Sequence, residues 1–256
     1  MSYQTVLLDR KDGIATITFH RPEALNAINS QMLEDLNGAA DEVASDDSVR
    51  VVVFTGEGKS FISGADIHEM DSKNSYDIIE YSQKGGDVFR KIEQLKKPTI
   101  AAVNGYAFGG MEFLLCTDIR IASERAKLRL PEVTLGITPG FQGTQRLPKC
   151  VGMNKAKEIV FTGKMLTAED ALKLGILNEV VAGEALMNRV YEMAKQIADN
   201  SASAIAMAKA AMTAGASMDI DVGRNIELGY MAACFGTPDQ QEGFASFKEK
   251  RPAKFR

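Results

Sequence analysis

The sequence predicts an α/β fold, in which a core of alternating strands and helices is followed by a purely helical tail. Three observations carry this reading. Residues 51–54 form a short, continuously apolar run, the pattern of a strand buried on both faces, and 99–103 and 119–122 read as further strands. Residues 31–45 and 75–95, between and before them, repeat apolar side chains at helical spacing. From Gly183 to the end the helical period persists without a convincing strand pattern, so the alternation that builds an α/β core stops there.

The elements follow in order. Residues 6–9 and 14–19 alternate apolar and polar side chains around Lys11-Asp12-Gly13, and Asp-Gly between alternating runs is a hairpin signal. Residues 31–45 place Met32, Leu33, Leu36, Ala39, Ala40 and Val43 on one helical face. The 51–54 strand ends at Thr55-Gly56-Glu57-Gly58. The helix over 75–95 carries Gly85-Gly86, a possible interruption. Residues 104–110 read as a glycine-containing loop, 111–116 as a helix start and 119–122 as a strand. Eight alanines between Ala202 and Ala216 suit closely packed helices.

Composition narrows the function. The chain has 256 residues and a mass of 27.8 kDa, with a formal net charge of -4 and a sequence pI near 5.4. That balance argues against a dedicated nucleic-acid binder, which carries a basic stripe. Cys116, Cys150 and Cys234 are widely spaced and odd in number, which implies reduced thiols rather than a disulfide framework. Only His20 and His68 occur, too few for a histidine-rich zinc site. The first residues lack the basic start and apolar core of a signal peptide, and no run approaches the ~18–20 apolar residues of a membrane span. The expectation is a cytoplasmic enzyme with no bound metal.

Two carboxylates stand out. Glu112 lies in the apolar stretch 109–113, and Glu132 follows a proline at Leu130-Pro131. An acid inside an apolar run is paired, solvated in a pocket or functional. Taken singly, Glu112 equally suits an outward-pointing charge at a helix start, and Glu132 an exposed turn. Three glycine-containing loops accompany them, at 61–67, 105–110 and 136–146. Small residues let backbone approach a ligand, and a loop opening a helix presents free amide donors.

Together these segments resemble the crotonase (enoyl-CoA hydratase/isomerase) family. The resemblance runs end to end through RPEALNAIN (21–29), SFISGADI (60–67), KPTIAAVNGY (97–106), LPEV (130–133), PGFQGTQRL (139–147) and FKEKR (247–251). It implies a crotonase-like ββα spiral core over residues 1–195 and a C-terminal helical trimerisation region over 196–256, assembled as a homotrimer or a dimer of trimers. It implies an acyl-CoA thioester as substrate, with CoA part of the substrate and no separate cofactor, nucleic acid or membrane as partner. By motif match, Glu112 and Glu132 are the catalytic acids: Glu112 activates water and Glu132 protonates Cα. The amides of Ala65 and Gly109 form the oxyanion hole. Ala24, Asp66, Ile67, His68 and Gly140 bind substrate, and Phe247 and Lys250 of a neighbouring subunit cover the nucleotide. The acyl pocket wall is expected within residues 72–94.

The reaction expected from both acids is the reversible syn addition of water to a 2-enoyl-CoA. The alternatives are an enoyl-CoA isomerase or other crotonase-type lyase, and an acyl-CoA-binding protein with weakened catalysis. Two departures from the family pattern bear on this. The loop AFGGME (107–112) is one residue shorter before the glutamate than is usual in the family, and Gln142 stands where the third loop ordinarily has a glycine.

Overall fold

A computed structural model of the chain describes residues 3–255. The hairpin forms as β1 (Val6–Lys11) and β2 (Ile14–Phe19), paired antiparallel around Asp12-Gly13. Asp12 and Gly13 both take positive φ, the conformation an Asp-Gly turn supplies. Helix α1 (Ser30–Ser45) starts at Asn29, whose side chain accepts from the Met32 amide, and it buries the six apolar residues that its spacing placed on one face.

From there the chain repeats one device. A long strand in a first sheet is followed by a short strand in a second sheet, and then by helix. β3 (Val51–Gly56), β4 (Ser60–Ile62), α2 (Ile67–Met70) and α3 (Ser75–Glu93) form one turn. β5 (Thr99–Val103), β6 (Tyr106–Phe108) and α4 (Met111–Leu114) form the next. β7 (Ile119–Ser123), β8 (Lys127–Arg129), α5 (Gly143–Val151) and α6 (Met153–Thr162) form a third. β9 (Leu166–Thr167), α7 (Ala168–Lys173), β10 (Glu179–Val181) and α8 (Leu186–Ala198) complete the core. The first sheet has the order β1-β2-β3-β5-β7-β10, and the second β4-β6-β8-β9. All pairs from β2 to β10 in the first sheet are parallel, and β9 is antiparallel to β8 in the second. The result is the crotonase-type spiral.

Two expectations change. Residues 104–110 are not all loop, because residues 106–108 join the second sheet as β6. Gly85-Gly86 do not interrupt α3, which runs unbroken from Ser75 to Glu93.

The first sheet is buried on both faces. Val51 and Val53 pack with Ile100, Ala102 and Ile121 under Leu186, Val190 and Ala194 of α8. Val52 and Phe54 face the larger core, where Phe19, Phe54, Phe61, Phe89 and Phe113 form a connected aromatic cluster. Full burial of such side chains is worth roughly 1.5–3 kcal/mol each. After α8 the chain is helical: α9 (Ala202–Gly215), α10 (Ile220–Cys234) and α11 (Pro238–Glu249). Lys209 fastens α9 to the core by an ion pair to Asp118 at 2.6 Å and a hydrogen bond to the Lys97 carbonyl. Among the described residues no helix is long and apolar enough to cross a membrane, and no group of acids, histidines and cysteines is arranged to hold a metal.

Candidate active site

The two sheets hold their loops against one cavity of about 660 Å³. Ala65, Ile67, Gly109, Glu112, Glu132 and Gly140, six of the residues singled out in the sequence, line it. Glu112 sits in the first turn of α4, which places its side chain at the cavity floor. It is 4% exposed. Its Oε1 accepts hydrogen bonds from the backbone amides of Phe141 (3.0 Å) and Gly143 (2.6 Å). Those two bonds fix the carboxyl and leave Oε2 without a partner among the described residues. Glu132 opens a 3-10 turn over Glu132–Leu135 after Pro131. Its Oε2 is buried and has no hydrogen-bond partner among the described residues. A carboxylate oxygen buried without a partner is costly when charged, which favours its protonated form.

Both acids are shifted upward, chiefly by burial. Burial pushes the Glu112 carboxyl up to about 8, and the Glu132 charge adds to the rise; the Gly143 and Phe141 amides and the Arg146 charge oppose it. Burial also raises Glu132, with its own backbone amide and Arg129 opposing. Burial and the neighbouring like charge both favour the protonated form of Glu112 around neutrality. A pair carrying one proton offers one acid and one base at the same place, which is what addition of water across a double bond requires.

The two amides expected to form an oxyanion hole differ in their hydrogen bonding. Ala65 bridges Ile28 through its neighbours: Ile28 N–H donates to the Gly64 carbonyl, and Asp66 N–H donates to the Ile28 carbonyl, at 2.8 and 2.7 Å. This alternation turns the Ala65 N–H the other way, toward the cavity, where it has no partner among the described residues. Tyr81 reinforces the arrangement by donating its hydroxyl to the Ile28 carbonyl at 2.6 Å. Gly109 corrects the sequence expectation, because its N–H donates to the Arg129 carbonyl at 2.8 Å and is not free. Parallel pairing of Phe108 with Arg129 puts the next amide into that ladder position, and the short loop leaves Gly109 occupying it. The Gly110 N–H is also taken, by the Phe108 carbonyl. Gly109 is still required as glycine. It has φ +47°, and a Cβ there would lie 2.8 Å from the Gly64 Cα and 3.2 Å from Glu132 Oε1.

The remaining expected residues are not gathered at the cavity. Ala24 ends a 3-10 turn over Pro22–Ala24, and its carbonyl accepts from Ser63. Asp66 caps α2 and pairs with Arg21 at 3.1 Å. His68 is exposed on α2. Phe247, 85% exposed, and Lys250 lie at the end of α11, away from their own chain's cavity. From the segment expected to form the wall, Ile78, Tyr81 and Ser82 do line the cavity.

Comparison with known proteins shows the family. The family model described as enoyl-CoA hydratase/isomerase matches residues 9–256. The chain belongs to the enoyl-CoA hydratase/isomerase family. Within that family it is 43% identical over 253 residues to the short-chain-enoyl-CoA hydratase of Clostridium acetobutylicum, covering 98% of this chain and 97% of the relative. It is 42% identical over 257 residues to the crotonyl-CoA hydratase of Syntrophomonas wolfei, covering 100% and 99%. The crystal structure of the enoyl-CoA hydratase from Bacillus anthracis superposes with a TM-score of 0.95 at 35% identity, covering 98% of this chain and 99% of that one.

Several contributors lie within the quoted motif PGFQGTQRL, but nothing in the sequence marked their roles. The Phe141 and Gly143 amides that hold Glu112 leave no side-chain mark. Arg146 donates to the Phe141 carbonyl and pairs with Glu93 through Nε and Nη2, both at 3.0 Å, clamping the loop that carries those amides. A buried aromatic directly after Pro139-Gly140 was the available signal.

Proposed function

We propose that this chain is an enoyl-CoA hydratase, a lyase that adds water reversibly and syn across the double bond of 2-enoyl-CoA thioesters to give 3-hydroxyacyl-CoA. It would act in fatty-acid or short-chain acyl-CoA metabolism. The observation that carries the proposal is the pair of raised acids, buried Glu112 and half-buried Glu132, lining one cavity beside the unpartnered Ala65 N–H.

The thioester oxygen is placed at the Ala65 amide, where negative charge develops as an enolate. A positioned donor of this kind contributes roughly 3–4 kcal/mol to the transition state. Water sits between the acids. In hydration, Glu112 Oε2 takes a proton from water as oxygen attacks Cβ, and protonated Glu132 delivers its proton to Cα. In dehydration the same steps run backwards, with Glu112 protonating the leaving hydroxyl and Glu132 removing the Cα proton. The two directions start from the two tautomers of a pair that holds one proton. Each acid–base step is worth about 10²–10⁴ in rate. No cofactor is needed, because CoA is part of the substrate. An isomerase or a related lyase would use the same oxyanion donor with one acid dominant, so comparing 2-enoyl-CoA with 3-enoyl-CoA turnover tests the choice of reaction.

The assembly proposed is a homotrimer or a dimer of trimers through a helical region over residues 196–256, with the spiral core over 1–195. The support is exposed apolar surface on the tail, including Met212 (69%), Ile220 (83%) and Met231 (56%). Phe247 and Lys250 would then reach a neighbour's nucleotide, beside substrate contacts from Ala24, Asp66, Ile67, His68 and Gly140. The proposed compartment is the cytoplasm, with neither membrane nor nucleic acid as partner.

A further inference from the structure

One wall of the cavity is a side chain to which the family motif assigns no role. Phe141 follows Pro139-Gly140, and its amide holds Glu112. Its ring therefore stands beside Glu112 in the cavity wall. It is 4% exposed and lines the cavity. The ring lies against Tyr81, with centroids 5.3 Å apart, and against Phe89, also at 5.3 Å. Phe89 in turn packs on Phe113 at 5.1 Å. The wall is thus the outer end of the aromatic column that fills the core, and Tyr81 is itself tied down by its bond to Ile28.

The seat of that ring explains the two glycines inside α3. A Cβ at Gly85 would lie 2.4 Å from Phe141 Cε1 and 2.6 Å from Cδ1, and a Cβ at Gly86 would lie 3.1 Å from Gln142 Nε2. Glycine in a helix interior is less favourable than alanine by up to ~1 kcal/mol; Gly85 is required by the close approach of the Phe141 ring, and Gly86 leaves room for the Gln142 side chain. Residues 85–86 and 141–142 form one matched contact, and its product is a ring held at a fixed depth.

We propose that Phe141, seated on Gly85 and braced by Tyr81, sets acyl chain length by stopping the pocket shortly beyond Cβ, so that the enzyme takes short 2-enoyl-CoA thioesters. This rests on the hydratase reading and adds its substrate range. Removing the ring opens room for further methylenes, each worth about fourfold in binding when buried.

The test measures kcat/KM for 2-enoyl-CoA thioesters of four, six, eight and ten carbons with the wild type, Phe141→Ala, Gly85→Ala and the double variant. Dissociation constants for butyryl-CoA and octanoyl-CoA are measured in parallel. The wild type is expected to favour four carbons over eight by at least tenfold. Phe141→Ala should raise the eight-to-four ratio about tenfold or more, in turnover and in the binding ratio alike. Gly85→Ala, which suits a helix, should push the ring into the cavity and lower that ratio further. The same change made in Phe141→Ala should have little effect, because its target is gone. A wild type that handles eight carbons as well as four, or ratios unmoved by Phe141→Ala in either measurement, overturns the wall. If no 2-enoyl-CoA is hydrated by the wild type, the hydratase reading fails, while the saturated acyl-CoA affinities still decide whether Phe141 limits chain length.

Discussion

Inserting one glycine between Phe108 and Gly109 is expected to raise catalysis sharply. In the native chain the ladder pairs Phe108 with Arg129, and the following amide, that of Gly109, is spent on the Arg129 carbonyl at 2.8 Å. An inserted residue takes over that ladder position. Gly109 moves one step along, its N–H leaves the sheet, and the cavity gains a second donor opposite Ala65. Glu112 should keep its place, because the Phe141 and Gly143 amides hold it independently of this loop. A second oxyanion donor is worth roughly 3–4 kcal/mol, or about 10²–10³ in kcat. Affinity for acyl-CoA should stay nearly level, because CoA binding rests on dispersed contacts. The assay is initial-rate hydration of crotonyl-CoA alongside the dissociation constant of butyryl-CoA. A lower or unchanged kcat in a folded variant would refute the reasoning, and would mean that the native loop already places its donors well.

Other outcomes follow from the same geometry. Glu112→Gln and Glu132→Gln should each lower kcat strongly with little loss of acyl-CoA affinity. The double variant should cost far less than the product of the singles, since groups acting as a unit are non-additive; fully independent effects would count against the shared water. The pH profile of kcat/KM for the free enzyme should be bell-shaped, with an alkaline limb near 8, where the pair loses its last proton; a profile flat to pH 9.5 would contradict it. The folded state binds the Glu112 proton more tightly than the unfolded chain does, so its contribution to stability is complete below ~4.3. That contribution falls as pH rises through about 8. Glu112→Gln should therefore flatten the alkaline fall in melting temperature. Lys250→Glu should raise KM more than it lowers kcat if Lys250 meets a nucleotide phosphate, and light scattering should find a trimer or hexamer; a monomer at micromolar concentration would remove the assembly.

Much of this was legible in the sequence where a residue type answers to one physical demand. Asp12-Gly13 signalled a hairpin turn, the run 51–54 signalled a strand buried on both faces, and the apolar stretch around Glu112 marked it as a candidate, although an outward charge at a helix start suited that position equally. The three-residue strands β4, β6 and β8 were not legible, because they are too short to show a period and are defined by pairing with segments far along the chain. The hold on Glu112 was hidden for another reason: its donors are backbone amides, which every residue carries. Gly85-Gly86 left a signal that pointed the wrong way. Two glycines in a helix suggest a break, and only the ring of Phe141 above them explains why the helix continues. The fate of the Gly109 amide turned on a register of one residue, which the motif alone could not assign.

The central claim is that Glu112 and Glu132 hydrate a 2-enoyl-CoA in one cavity. The most direct measurement is absorbance at the conjugated-thioester band when crotonyl-CoA is mixed with the wild-type protein at neutral pH, with the product analysed for 3-hydroxybutyryl-CoA. The account predicts catalytic loss of the band, formation of the hydroxy product, and return of the band when that product is supplied instead. Tight binding of crotonyl-CoA with no change in the band over many equivalents would contradict it, and would leave an acyl-CoA-binding protein in its place.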